Sequence, residues 1–251
     1  MRGEWIIPRD PQENTVILCI HGGGFVSCSA RTHRPITAAL ARKTGIKVFA
    51  VDYRLAPENC FPAALDDVFE CYKRLKEMGV REIVLAGDSA GGGLVMSLLI
   101  RIREAGLDQP DCAVCFSPWT DLTGNSETIL SNNGADAMFY PENVIDFGRA
   151  YLGEASPRNS AASPVLADHK GLCPILFQVG STEMLLDDSR TIHANILTAG
   201  GTSELKIFDG LPHCWQMLNW FVPEAGQALR QASDFIVRMI NRRDAETQSP
   251  K

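Results

Sequence analysis

The sequence has no run long enough to cross a membrane: its longest apolar stretches, such as residues 16–20, are far too short. It has no excess of basic residues. Lys and Arg total 24 against 30 Asp and Glu, a net charge of -6, which leaves no footprint for nucleic acid or an anionic membrane surface. It has no internal repeat and no Pro/Gly-rich linker, so nothing divides its 251 residues into separate units. Its first residues, Met1-Arg2-Gly3-Glu4-Trp5, carry charge where a signal peptide needs an apolar stretch. A metal or redox context for the cysteines is also missing. The C-x-x-C at Cys112 and Cys115 has no second C-x-x-C and no nearby His, and it sits in a strand-like run. The eight cysteines read as buried free thiols, which places the chain in the reducing cytoplasm.

What is present is a globular composition, 45% hydrophobic and 22% charged, enough for one large α/β domain with a sizeable core. Residues 5–7, 16–20, 46–51, 83–86, 112–116, 175–179 and 205–208 read as strands. Their apolar residues run on without alternation, which suits a sheet covered on both faces. Helical patterns lie between them. Leu65, Val68, Tyr72 and Leu75 form one apolar stripe, and Ala225, Leu229, Ala232, Ile236 and Met239 form another. Residues 91–102 are apolar nearly all round, the mark of a buried helix, and 189–197 read as a further one. Strand and helix in alternation predict a mostly parallel sheet with right-handed crossovers and helices on both faces. Residues 120–172 break the pattern. They hold no convincing strand, only a helical stretch at 139–151, and read as a lid-like insertion. The polar tail from Arg242 to Lys251 reads as disordered.

Three local patterns carry chemistry. Gly87-Asp88-Ser89-Ala90-Gly91 follows a strand and opens the buried helix, the setting of a nucleophile elbow that lifts the Ser89 hydroxyl to the edge of the sheet. His21-Gly22-Gly23-Gly24 follows another strand, and its glycines leave backbone amides bare for a developing oxyanion. The amide of Ala90 completes that set, while His21 reads as an orienting residue. The run fits neither G-x-G-x-x-G nor a P-loop, which argues against a nucleotide. A serine needs a base and the base an orienting carboxylate. His213, just past the strand at 205–208, is the base by position; His193 falls in a helix, His169 in the insertion and His33 at a helix start. The acid is one of Glu183, Asp187 and Asp188. Loop position favours Glu183, because the two aspartates precede a helix, where carboxylates serve as caps.

With these residues in hand, the chain resembles the hormone-sensitive-lipase-like (bacterial family IV) carboxylesterases and acetyl esterases of the α/β-hydrolase superfamily. The resemblance rests on His21-Gly22-Gly23-Gly24-Phe25, on Asp52-Tyr53-Arg54-Leu55-Ala56-Pro57-Glu58 with Phe61-Pro62-Ala63-Ala64, on Gly87 through Gly92, and on Ser117-Pro118-Trp119-Thr120-Asp121. It implies an α/β-hydrolase fold and a serine carboxylesterase for short acyl esters. The implied triad is Ser89, Glu183 and His213, with oxyanion donors at Gly23, Gly24 and Ala90. It implies no metal or organic cofactor, and a homodimer through the last strand and helix. Glu183 fits a variant of the family pattern, E-x-L-L-D-D, and Tyr53, Arg54 and Glu58 become scaffold around the oxyanion loop. Relatives carry some tens of residues ahead of the strand holding Trp5. The expectation here is therefore a single domain, 1–251, without N-terminal cap helices. Its reduced cap, residues 120–172, would leave Phe25, Phe139 and Tyr140 exposed. Three alternatives share the fold: a lactone hydrolase on the same triad, a non-catalytic ligand-binding homologue, and a lyase.

Overall fold

A computed structural model describes the backbone of residues 2–248 and side chains through Arg242. Seven strands form one sheet: β1 (Gly3–Ile6), β2 (Thr15–Ile20), β3 (Lys47–Val51), β4 (Glu82–Asp88), β5 (Cys112–Phe116), β6 (Ile175–Gly180) and β7 (Ser203–Phe208). Their order is β1-β3-β2-β4-β5-β6-β7, and every pair is parallel except β1 with β3. All seven strands that the sequence predicts are present. The four central ones, β2 and β4–β6, are buried almost throughout, as a sheet covered on both faces requires. β1 and β7 are half exposed because they are the two edges.

Alternate residues of each strand feed two cores. On one face Val16, Leu18, Ile20 and Leu85 pack with Leu65, Val68 and Tyr72 of α2 (Ala63–Glu77), Leu94 and Leu98 of α3 (Ala90–Glu104) and Ile192 and Ile196 of α6 (Leu186–Thr198). On the other, Ile17, Cys19, Val84 and Val114 meet α1 (Arg34–Thr44) and α7 (Pro223–Gln248). Each Leu or Ile buried in this way contributes about 1.5–3 kcal/mol. Periodicity does not mark α1, because much of its buried face is Ala and Thr: Thr37, Ala39, Ala41 and Thr44 beside Ile36 and Leu40. Residues 120–172 contain α4 (Glu127–Ser131) and α5 (Pro141–Leu152) and no strand. The tail expected to be disordered from Arg242 is helical to Gln248, in α7, and 249–251 lie outside the described residues.

Two further expectations are corrected. Phe25 is buried, not exposed: its ring stacks on Tyr151 of α5 at 3.7 Å between centroids. The eight cysteines are free, but only six are buried; Cys28 is exposed and Cys60 half-buried. Cys112 and Cys115 point to opposite faces of β5, into different cores, so the C-x-x-C cannot act as a chelating pair.

The close packing of α3 on β2 depends on Gly91. A methyl group there would overlap the carbonyl oxygens of Ile20 and His21, which are backbone and cannot rotate away. We expect Gly91→Ala to destabilise the protein by about 3 kcal/mol, lowering Tm by roughly 6–12 °C in thermal denaturation. An unchanged Tm would show that the helix can shift without penalty.

Candidate active site

Five strands deliver the candidate residues at their carboxyl ends, where parallel sheets expose their loops. β2 runs into His21 through Gly24, β4 into Ser89, β5 into Ser117, β6 into Glu183 and, after β7, the chain reaches His213. Ser89 sits at φ 52° and ψ -124°, a conformation that turns strand sharply into helix. Its amide donates to Phe116 O at 2.9 Å, and its carbonyl accepts from Trp119 N at 2.9 Å. The two flanking glycines are required here, since a Cβ on Gly87 would collide with the backbone of Gly91 and Gly92.

The base and acid meet. His213 Nδ1 lies 2.8 Å from Glu183 Oε2, and both side chains are buried. The other oxygen of Glu183 accepts from the Ser117 hydroxyl at 2.8 Å and from the Gly180 amide. His213 Nε2 is buried and has no hydrogen-bond partner. Burial pushes the imidazole down in pKa, but the hydrogen bond and negative charge of Glu183 outweigh it and hold His213 above its ordinary value. Burial pushes the Glu183 carboxyl up, opposed by the donors from His213, Gly180 and Ser117.

The predicted oxyanion donors are also open. Among the described residues, the amides of Gly23, Gly24 and Ala90 make no hydrogen bond within the protein. Ala90 is the first residue of α3, where helix amides are free and the dipole favours negative charge. His21 donates from Nδ1 to Gly22 O at 2.7 Å and stacks on Tyr53 at 4.3 Å, so it orients the loop. The Tyr53 hydroxyl in turn donates to His21 O at 2.8 Å.

The other histidines lie in different surroundings. His193 reaches Ser203 Oγ, and His169 donates from Nε2 to Pro164 O. Asp187 and Asp188 lie inside the first turn of α6, which begins three residues earlier than expected. Asp188 does not cap that helix. It reaches across to accept from the Thr120 and Asp121 amides, at 2.7 and 2.8 Å, and from the Ser126 hydroxyl at 2.7 Å. The insertion also grips the Glu183 turn. Asn132 donates to the carbonyls of Ser181 and Glu183, and Asp136 accepts from the Met184 amide at 2.8 Å. Sequence reasoning gives no role to Asn132 or Asp136, takes Ser117 only as part of a family pattern and His33 only as a residue at a helix start, since each acts through a contact between distant segments. The adjacency of Ser117 to a strand end was the only local signal among them.

Aromatic side chains from the insertion close over this arrangement. Phe139 packs edge-on against His213 at 5.0 Å, and Phe147 of α5 lies against Gly24. With Ser89, Trp119, Val144 and Leu185 they line a cleft with about 10 Å³ of free space, room for about one water. Tyr140, by contrast, is exposed as expected. A much larger cavity, about 760 Å³, lies behind the oxyanion loop between Tyr53, Arg54, Glu58 and Arg74. Its walls carry paired charges such as Arg54 with Asp67, and the histidine on them, His21, is engaged with Gly22 O and stacked on Tyr53. The smaller cleft is the candidate site, because Ser89 and the Phe139 ring that packs on His213 line it.

The chain as a whole is similar to known proteins. Residues 17–217 match a family model described as alpha/beta hydrolase fold. An acetyl-hydrolase of Streptomyces hygroscopicus is 35% identical over 235 residues, covering 93% of this chain and 78% of its own. An esterase of Acinetobacter venetianus is 36% identical over 238 residues, covering 94% and 78%. A crystal structure of an esterase from the bacterial hormone-sensitive lipase family superposes with a TM-score of 0.92 at 39% identity, covering 94% of this chain and 80% of that one.

Asp188 generates a pH prediction. Burial, against the pull of its three donors, pushes this carboxyl from 3.8 up to about 7. A folded value above the unfolded one means that its contribution to stability is full below about pH 4 and is lost as pH rises through about 7. Urea unfolding should show wild type losing stability relative to Asp188→Asn across that window, by up to about 1.4 kcal/mol per pH unit. A difference independent of pH would show that the carboxyl titrates alike in both states.

Proposed function

The chain belongs to the alpha/beta hydrolase family, and from that premise we propose that it is a serine carboxylesterase that hydrolyses short-chain acyl esters through an acyl-enzyme. The observation that carries this reading is His213. One ring nitrogen rests on a buried carboxylate, the other is buried without a partner, and the ring packs edge-on against Phe139, which lines the cleft together with Ser89. That arrangement leaves an imidazole fixed in its tautomer with a free lone pair for a hydroxyl proton.

Ser89 Oγ attacks the ester carbonyl while His213 Nε2 takes its proton. Glu183 holds the ring and stabilises the imidazolium. The amides of Gly23, Gly24 and Ala90 receive the negative charge of the tetrahedral intermediate. The intermediate collapses as His213 passes the proton to the departing alkoxide, and the alcohol leaves. Water, deprotonated by His213, then attacks the acyl-enzyme. The second collapse returns a proton to Ser89 Oγ and releases the acid. Every proton and charge is assigned to a group of the chain, so the scheme names no metal or organic cofactor.

The tightness of the cleft under Phe139 and Phe147 favours short acyl groups over long ones, and residues 120–172 serve as the cap. Among the described residues no helix is long and apolar enough to cross a membrane. Eight unpaired cysteines support the cytoplasm as the compartment. The exposed edge of β7, beside α7, is the face available for a homodimer.

Initial rates on p-nitrophenyl esters from acetate to palmitate test the reading. Rates should peak at short chains and vanish in Ser89→Ala. The acid limb of kcat/KM should lie above 6.5, the ordinary imidazole value, because Glu183 raises His213. In Glu183→Gln the charge is gone while burial remains, so the limb should move to lower pH and kcat should fall by roughly 10⁴. A folded wild type inert on every ester would overturn the esterase reading.

A further inference from the structure

Asp88 stands immediately before the proposed nucleophile, yet no step above uses it. It is buried, and each of its oxygens is occupied. Oδ1 accepts the Gly22 amide at 3.1 Å. Oδ2 lies 3.0 Å from His33 Nε2 and accepts the Cys214 thiol at 3.8 Å. Gly22 precedes the oxyanion glycines, and Cys214 follows His213. One carboxylate therefore holds the chain neighbours of the oxyanion loop and of the base, and is itself the neighbour of the nucleophile. The approach is close: a Cβ on Gly22 would overlap Asp88 Oδ2.

His33, the residue before α1, is buried beneath the same loop. The Thr32 hydroxyl donates to Ser29 O at 2.8 Å, so its oxygen is left as an acceptor for His33 Nδ1 at 2.9 Å. Ser29 O lies 3.3 Å from the same nitrogen. Both ring nitrogens thus face acceptors, a carboxylate on one side and two oxygens on the other, which calls for protons on both. His33 is then an imidazolium, and its Nε2–H goes to Asp88. The Gly22 amide, 3.3 Å from Nε2 and 3.1 Å from Oδ1, is directed to the carboxylate.

We propose that the His33–Asp88 ion pair is a clamp that fixes the oxyanion loop against the nucleophile, making both of them positioning residues for ester hydrolysis. The inference rests on the esterase reading above. The oxyanion amides act only when charge develops on the carbonyl oxygen, so a loosened loop lowers kcat and leaves ground-state binding intact.

The test uses the whole purified chain and p-nitrophenyl acetate. In His33→Gln the side-chain amide replaces Nε2 and still donates to Asp88. In His33→Asn it replaces Nδ1, keeps the contacts to Ser29 and Thr32, and falls short of Asp88. Each variant thus keeps one side of the His33 contacts and gives up the other, and only Gln keeps the contact to Asp88. Asp88→Asn removes the carboxylate itself. Near-UV circular dichroism confirms that each is folded at the assay temperature.

Asp88→Asn and His33→Asn should lose about a hundredfold in kcat with KM unchanged, as small misplacements of catalytic groups do. Their affinity for a trifluoromethyl ketone, which adds to Ser89 and places an oxyanion in the same hole, should fall in proportion. His33→Gln should recover at least about tenfold of both losses. Equal activity in His33→Gln and His33→Asn, or a lower kcat with undiminished inhibitor affinity, overturns the clamp alone. If Asp88→Asn fails to fold, the two His33 variants decide the matter. A wild type that neither hydrolyses the ester nor takes a fluorophosphonate at Ser89 overturns the esterase reading and the clamp with it.

Discussion

The turn at Ser89 is the constraint to which the surrounding structure answers. A serine at φ 52° and ψ -124° is strained, at roughly 1–3 kcal/mol. It persists only because the backbone on either side has nowhere else to go. Gly87 lies against Gly91, Gly91 against the end of β2, and Gly22 against Asp88. Each contact admits hydrogen and nothing larger, so the elbow, the end of β2 and the oxyanion loop form one piece. Ser117, just past β5, and Cys214, in the loop after β7, repeat the positive φ at 48° and 52°. They are tied to each other as well, since the Ser117 hydroxyl accepts the Cys214 amide at 3.3 Å while donating to Glu183. The strain is concentrated where the proposed chemistry lies, and the buried sheet below supplies the rigidity to hold it.

Charge inside this region follows one rule. Asp88, Glu183 and Asp188 are all buried, and isolated carboxylates would not survive there. Each is met by at least one backbone amide: Gly22 for Asp88, Gly180 for Glu183, Thr120 and Asp121 for Asp188. Two of them also have a histidine. The outcomes differ with the partner. His33, with His21 and the Gly22 amide, outweighs burial and keeps Asp88 below its ordinary pKa; for Glu183 burial outweighs His213 and its other donors and the carboxyl is raised, and Asp188, with neutral donors only, is pushed up to about 7. A carboxylate beside an imidazolium serves as a fixed charge. One held by neutral donors serves as a tether whose strength changes with pH.

How much of this the sequence reveals depends on the range of the interaction. The strands are legible because β2, β4, β5 and β6 are buried on both faces and must be apolar without interruption. The buried helix after Ser89 is legible for the same reason. That Glu183, and not Asp187 or Asp188, meets His213 is legible because a loop residue beyond a strand end is free to point across the sheet edge, while the aspartates belong to α6. Asn132 and Asp136 are not legible, because their partners lie about fifty residues away and no spacing rule links them. His33 reads only as a residue at a helix start. Its partner Asp88 is 55 positions further on. Phe25 reads as exposed when the cap is judged by its length, yet two aromatic residues, Tyr151 and Trp119, pack against it and bury it.

The insertion therefore cannot be regarded as a cover independent of the chemistry beneath it. Phe139 and Phe147 shape the cleft, while Asn132 and Asp136, from the same stretch, hold the turn that carries Glu183. Asp136 Oδ1 accepts the Met138 amide at 2.8 Å and the Phe139 amide at 3.2 Å, so the residue that steadies the acid turn also sets the ring that meets His213. Asp188 anchors the beginning of the insertion to α6, just past that turn. Any movement that widens the cleft for a larger acyl group must pull on Asp136, and through it on the Met184 amide next to Glu183. On the esterase reading proposed above, the segment that shapes the acyl cleft is therefore also the segment that holds the turn carrying Glu183, on which His213 rests.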